Sequence, residues 1–556
     1  MRCLHRLFLA RHLFASFLVG QALMAGAQSA LPDALSAPDP RLPVGETPCF
    51  TLRRIALEGD AAEQFDWAVD AAHWAGPAVA DPALHRCLGA EGIARVMQRI
   101  QAAIIARGFV TTRVLASEQD LSTGVLRLTL VAGRICGVRL QSDAQGRGTL
   151  WNALPAAPGE LLNLRDVEQT LENLQRPPTV EADIQITPCE PQPGGPAVRP
   201  GESELSIQWK QRRPFRLGVS IDDSGTRASG RYQGALTFSY DNALNLNDLL
   251  YFSVVQNLQS VGEGAGPGEQ GTRGRTAHYS LPLRHWLLAF NASRNRFYQN
   301  VAGITQSYVY RGESSTQDVR MSRLVHRDAV TKSHVFLRGW SRQSRNFIDD
   351  TEVEVQRRRT AGWDLGAQHQ RRIGQAIWDL TLTYRRGTGA WGALPAPEDA
   401  FGEGASRPRI TSADISFVWP LRWAEQQGRY RAMAAAQWTQ QALVSNDRFA
   451  IGGRHTVRGF DGERALSAAR GAWLRQELGW RLADSGQELY LGVDHGQVGG
   501  AASDNLVGTR LTGAVIGLRG GYRHASWEVF VGRPLQKPAL FRTADTTAGF
   551  SLNLSF

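Results

Sequence analysis

Beyond its first few dozen residues the chain has no run of about 20 consecutive apolar residues, so no later transmembrane helix is predicted. It also has no basic run of roughly 5–8 residues, although 62 Lys+Arg against 52 Asp+Glu give a net charge of +10. The arginines are scattered, and lysine is scarce beside them, a bias that a GC-rich genome accounts for; a nucleic-acid partner is therefore not expected. Histidines lie apart without metal-ligand spacing, and neither a nucleophile elbow nor a phosphate loop is present. An enzyme is not expected, nor is a cofactor. Cysteine is scarce at 5 residues, and no spacing resembles a zinc site. What is there excludes disorder: the hydrophobic fraction is 42%, charged residues are 21%, and aromatics are spread throughout. A count of 57 glycines points to many turns, and 556 residues to several domains.

The N-terminus predicts a secretory signal over residues 1–27. Arg2, His5 and Arg6 start it, an apolar stretch runs from Leu7 to Met24, and Ala25 and Ala27 make the small-residue cleavage pattern. The alternative, an anchor helix, would put Arg11 inside the span at high cost. Residues 28–47, with Pro32, Pro38, Pro40 and Pro43, read as a linker or a short plug segment. Cys3 would leave with the signal. The remaining Cys49, Cys87, Cys136 and Cys189 allow three connectivities. Buried free thiols are the alternative. Order along the chain favours Cys49 with Cys87 and Cys136 with Cys189, because each pair then lies inside one small unit.

Two such units are predicted. In the first (48–133), Leu52, Ile55 and Leu57 mark a strand. Ile93, Val96, Met97, Ile100 and Ile104 share a helix face, Gly108 ends that helix, and Val110–Leu115 and Val125–Val131 are strands. In the second (134–208), Ile135–Leu140 is a strand, Asn163 caps a helix whose face holds Leu164, Val167, Leu171 and Leu174, and Pro177 and Pro178 stop it. Val180–Ile186 and Leu205–Trp209 close that unit as strands. From 209 to 556 the period becomes two. Leu236, Phe238 and Tyr240 alternate with Ala235, Thr237 and Ser239, and the last segment alternates Phe550, Leu552, Leu554 and Phe556 with Ser551, Asn553 and Ser555. Without helices, only a closed barrel satisfies every backbone group in lipid. Apolar-out, polar-in alternation with aromatics at strand ends is what such a barrel requires, and a soluble sandwich or solenoid leaves those aromatics unexplained. The predicted fold is thus mainly β: a C-terminal transmembrane antiparallel barrel of about 16 strands, with about 14 or 18 fitting nearly as well, preceded by two small α+β units.

Several stretches carry a resemblance. Pro48–Phe50 with Cys87–Gly89, then Arg107–Arg113, Gln119–Leu121 and Gly124–Leu126, resemble a first POTRA (polypeptide-transport-associated) domain; Leu162–Leu174 resembles the second. Asp241, Asn242, Asn247 and Asp248 resemble the first barrel hairpins. Phe449–Gly453 leading into Val457, Arg458, Gly459 and Phe460 resembles the tip motif of a loop that folds back into the barrel, around residues 449–471; the usual last residue is Tyr, and Phe460 lacks its hydroxyl. Gly492, Asp494 and Gly496 resemble the inner-wall motif that receives the tip, and Phe556 resembles a C-terminal signal read by the barrel assembly machinery. In this order the stretches resemble the two-partner secretion transporters (TpsB; the filamentous haemagglutinin and haemolysin transporters), within the outer-membrane insertase superfamily.

The resemblance implies an outer-membrane transporter with POTRA domains in the periplasm. It would recognise a large exported protein there, a β-helical exoprotein with an N-terminal secretion domain, possessing haemolysin or adhesin activity, and translocate it to the cell surface. Outer-membrane lipid and the barrel assembly machinery are the other partners implied. The competing readings are an assembly insertase of the same superfamily and a passive porin or receptor. Independently of the resemblance, alternation sends Leu489, Leu491 and Val493 to lipid and Asp494 to the lumen. A planar Arg458 fork could bond that carboxylate bidentately, in a lumen expected to be wet. The plain alternative is a solvated carboxylate and an unrelated loop charge.

Overall fold

The computed structural model describes residues 41–76, 78–142, 147–191, 197–227, 230–258, 270–501 and 503–556. The signal expected at 1–27 and most of the segment expected as a linker or short plug, 28–47, lie outside the described residues.

One compact unit comprises the described residues from 41 to 103 together with 114–130. Its sheet orders Arg54–Gly59, Val125–Val131 and Arg113–Leu115, with the central strand parallel to the first. The helix Ala90–Ala106 buries Val96 and Ile100 completely. Glu46 accepts backbone N–H groups of Gly89 at 2.7 Å and Glu91 at 3.0 Å, supplying partners to a helix start that has none of its own. The Cys49–Cys87 disulfide, with Cα atoms 5.2 Å apart, ties the two-residue ladder of Phe50–Thr51 and Cys87–Leu88. A 3-10 helix over Ala62–His73 was not foreseen. Phe65, Ala68 and Ala72 are buried at helical spacing, but the surrounding alanines blur the period. The expected strand Val110–Leu115 shortens to Arg113–Leu115. Gly108 takes φ +100, and the Thr112 hydroxyl accepts the Gly133 N–H at 3.0 Å, which holds residues 110–112 as a turn.

The other unit holds 104–113 and 131–556. Its first part is a three-stranded sheet, with Glu202–Gln211 between Arg134–Ser142 and Val180–Pro188, under the helix Leu164–Leu174. Asn163 caps that helix, accepting from the Arg165 N–H at 2.8 Å. The register shifts between Ser203 and Glu204, which oppose Ile135 and Gly137, so Cys136 is the extra residue of a bulge. It is bonded to Cys189, 6.5 Å away between Cα atoms, across the central strand.

Among the described residues, 16 antiparallel strands close a barrel from Phe215–Asp222 to Thr547–Ser555. Those two strands pair over Gly218–Asp222 and Ser551–Ser555. The second small sheet runs on to Gln211, so the barrel's first strand begins a little past residue 209. Alternation sorts the wall as expected. Leu236 (51%), Phe252 (50%) and Leu491 (47%) are exposed on the outside. Inside, Arg338 bonds Asp318 and Asp364, and Arg385 holds Asp364 with a fork at 3.0 and 3.1 Å. One rim has two-residue hairpin turns in which Arg284, Ala424 and Arg523 take positive φ. Trp423 and Tyr522 stand exposed beside these turns, as interface aromatics do.

The second small sheet docks on that rim. Asp241, Asn242, Asn247 and Asp248 are all fully buried. Asn247 Nδ2 donates to Thr149 O at 2.8 Å, Asn152 Nδ2 donates to Leu246 O at 2.6 Å, and Asn173 Nδ2 donates to Arg284 O at 2.8 Å. Glu172 of the helix pairs with Arg327 and, at 2.5 Å, with Lys332 on the rim.

Candidate functional site

The connection between the strands Gln426–Trp438 and Arg470–Leu482 turns into the barrel. It folds on itself as a small hairpin, Phe449–Ile451 against Leu466–Ala468. Its tip is Val457–Phe460, and all four residues are buried. Ile451, Val457, Phe460 and Leu466 pack with Val498, Leu511 and Phe541 into an apolar cluster on the inner wall. Phe460 meets Phe541 edge-on, with centroids 5.9 Å apart.

Arg458 carries the polar contact. Its Nε donates to Asp494 Oδ2 at 2.7 Å and its Nη2 to Asp494 Oδ1 at 2.7 Å, and its backbone N–H donates to Oδ2 at 2.9 Å. Its Nη1 donates to Glu477. The wet lumen expected for this pair is corrected: Arg458 is 3% exposed and Asp494 0%. The loop itself seals the site, and a buried pair survives there because further groups satisfy each charge. Arg475 lies 3.8 Å from Asp494 and 3.9 Å from Glu477, and Arg519 donates to Glu477 at 2.9 Å. Arg519 also pairs with Glu488 and lies over the Tyr490 ring at 4.5 Å. The Tyr490 hydroxyl donates to Glu528 at 2.8 Å.

Glycine makes the close approach possible. A Cβ on Gly492 would lie 2.8 Å from Arg458 Nη2, and one on Gly496 would lie 2.7 Å from Val457 Cγ2. At the tip, Gly459 has φ +92, and its own Cβ would lie 2.5 Å from Arg533 O. A second anchor, Arg454, donates to Asp223 at 2.9 Å; Asp223 also accepts the Phe550 N–H at 2.8 Å. The structure thus brings Val457, Arg458, Gly459 and Phe460 against Gly492, Asp494 and Gly496, and it pairs the cysteines in the favoured order. Phe556 lies apart, 62% exposed, on the closing seam, where it exchanges backbone hydrogen bonds with Leu217.

Arg475, Glu477, Glu488, Arg519 and Arg454 were not singled out from the sequence. Parity holds a usable signal: Arg475 and Glu477 alternate with Leu474 and Leu478, so they share Asp494's face on the neighbouring strand.

The family of haemolysin secretion/activation proteins (ShlB/FhaC/HecB) matches residues 201–520. A relative, the outer membrane transporter CdiB-2 of Burkholderia pseudomallei, is 34% identical over 537 residues, covering 93% of this chain and 88% of that protein. The chain belongs to the ShlB/FhaC/HecB family. A ShlB-type POTRA domain matches residues 50–133 and a further POTRA domain matches 134–188. The outer membrane transporter CdiB of Dickeya dadantii is 28% identical over 92% of this chain and 87% of that protein. The structure of CdiB from Acinetobacter baumannii superposes with a TM-score of 0.80 at 29% identity, covering 98% of each chain. As a ShlB/FhaC/HecB member the chain is a two-partner secretion transporter of the outer membrane: its POTRA domains lie in the periplasm, and its partner is a large secreted protein.

Proposed function

We propose that residues 48–133 and 134–208 select the exported partner in the periplasm and hand it to the barrel, 209–556, which carries it to the surface as an extended chain. Each unit holds a small three-stranded sheet, and an extended segment can add a strand at the edge of such a sheet. The partner read this way is a β-helical exoprotein, haemolysin- or adhesin-like, whose N-terminal secretion domain docks on the POTRA units. Its folding outside, not ATP, draws it through, and the chain performs no chemistry on it. Outer-membrane lipid surrounds the wall, and Phe556 serves the barrel assembly machinery as a signal. The loop around 449–471 is part of the path, and Arg458 on Asp494 fixes where it rests. The observation that carries this reading is the buried charge cluster at the loop tip. A passive pore has no need to tie an internal loop to its wall with Arg458, Asp494 and Glu477. Deleting residues 48–208 should leave a heat-modifiable barrel in the outer membrane that secretes no partner. Secretion at the full-length rate by that deletion would refute the division of labour.

A further inference from the structure

The outer wall carries an arrangement that transport does not use. Along the strand Trp286–Ala302 the outward positions are Trp286, Leu288, Phe290 and Ala292, and then Arg294 and Arg296. On the neighbouring strand, Arg275 stands directly opposite Arg294, and Arg273 opposite Arg296. On the other side Arg296 opposes Glu313, which opposes Arg345. Directly opposed residues share a face. Phe290 is 40% exposed, and so is Val254, opposite Arg275, at 37%, which marks that face as the outward one. Asn291, one residue away, points the other way and donates to Asp318 at 2.9 Å.

Like charges set opposite one another destabilise a sheet, and here two such pairs are consecutive. Glu313 pairs with Arg294 and Arg296 and offsets part of the repulsion. Among the described residues, no carboxylate forms an ion pair with Arg273, Arg275 or Arg345. The strand leaves the POTRA-side rim at Trp286, beside Arg284, whose N–H donates to Asn152 O at 2.6 Å. At about 3.3 Å per residue and a tilt of about 40°, Arg294 and Arg296 stand roughly 20–25 Å above Trp286. An apolar band is about that tall, so these arginines meet the headgroup layer of the outer leaflet and not its hydrocarbon.

We propose that Arg273, Arg275, Arg294 and Arg296 form a binding site for the phosphate groups of an outer-leaflet glycolipid of the lipopolysaccharide class. A guanidinium fork bonds two phosphate oxygens at once, and a phosphate between two opposed arginines turns their repulsion into attraction. Four arginines around one carboxylate favour a multiply phosphorylated headgroup over a zwitterionic one.

The test is a titration of the full-length, delipidated protein in detergent with lipopolysaccharide, with the same glycolipid after removal of its phosphates, and with inorganic phosphate. Native mass spectrometry reads binding, and the temperature of the heat-modifiable gel shift reads stabilisation. Intact lipopolysaccharide should bind and raise that temperature, and the dephosphorylated form should bind at least tenfold more weakly. The double variant Arg275→Gln/Arg294→Gln should lose about tenfold in affinity, and Arg323→Gln, at the opposite end of the wall, should lose nothing. Should the double variant fail to fold, Arg294→Gln alone should still lose about threefold. Equal binding of the dephosphorylated glycolipid, unchanged affinity in the variants, or displacement by millimolar inorganic phosphate would each overturn the proposal, the last by making this a free-anion site.

Discussion

Asp494→Ala removes the carboxylate that accepts three hydrogen bonds from Arg458, at 2.7, 2.7 and 2.9 Å. Arg458, 3% exposed, would keep Glu477 and lose the group that oriented its fork. Stripping one partner from a buried ion pair costs about 3–5 kcal/mol. Glu477 remains, so the working figure is the lower end, about 3 kcal/mol. At about 1.4 kcal/mol per tenfold, the population with the loop off the wall should rise roughly a hundredfold. Ala468→Cys supplies a reporter, because this position, in the loop's own hairpin, is 0% exposed within the apolar cluster that the loop forms against the wall. Its maleimide labelling rate should rise by a similar factor when Asp494→Ala is added, while the protein stays inserted and partner secretion falls sharply. Arg458→Lys should give an intermediate effect, since an ammonium lacks the bidentate fork. Arg458→Ala combined with Asp494→Ala should be no worse than the more severe single change. Unchanged labelling in Asp494→Ala, or single defects that simply multiply in the double variant, would refute the coupling.

Three further outcomes are expected. Gly496→Leu should displace the loop tip with every charge intact, because even a Cβ there lies 2.7 Å from Val457 Cγ2; cargo secretion and the same labelling rate report it, and normal secretion would count against tip packing. Peptide mapping should find Cys136 joined to Cys189, and Cys189→Ser should destabilise the second POTRA domain by about 2–5 kcal/mol, seen as earlier urea unfolding of that domain with the barrel unchanged. Burial alone would raise the Glu172 carboxyl, but Lys332 and Arg327 outweigh it and hold the group below its ordinary 4.5. A depressed carboxyl stabilises docking above about pH 4.5 and loses that contribution as pH falls through the lower, folded-state value. The protection of Leu164–Leu174 against hydrogen exchange, taken relative to the intrinsic exchange rate at each pH, should therefore fall at acid pH, and Glu172→Gln should lower it already at neutral pH; identical protection profiles would refute the tether.

Much of this architecture is legible without coordinates because its forces are local and periodic. A strand in lipid must alternate, so Leu236, Phe238 and Tyr240 announce both the strand and its outward face, and Asn163 announces a helix start. Asp494 falls on the lumen face by the same parity. What escaped is what depends on distant chain. Glu477 and Arg519, bonded to each other across the wall, are ordinary polar-face residues until the loop brings Arg458 onto Glu477. The burial of the Asp494 carboxylate follows from the loop's arrival and not from its own strand. Asp241 and Asn247 gave a motif but no role, because their partners, Thr179 and Thr149, lie in the connections of the preceding small unit.

The central claim is that the partner crosses through the barrel lumen, and a partner arrested in transit tests it most directly. A photo-crosslinking residue at Arg338 or Gln368, on the inner face, should capture the arrested partner, while one at Leu337 or Leu365, on the outer face, should not. Capture from the outer positions alone, with none from the lumen, would contradict the account.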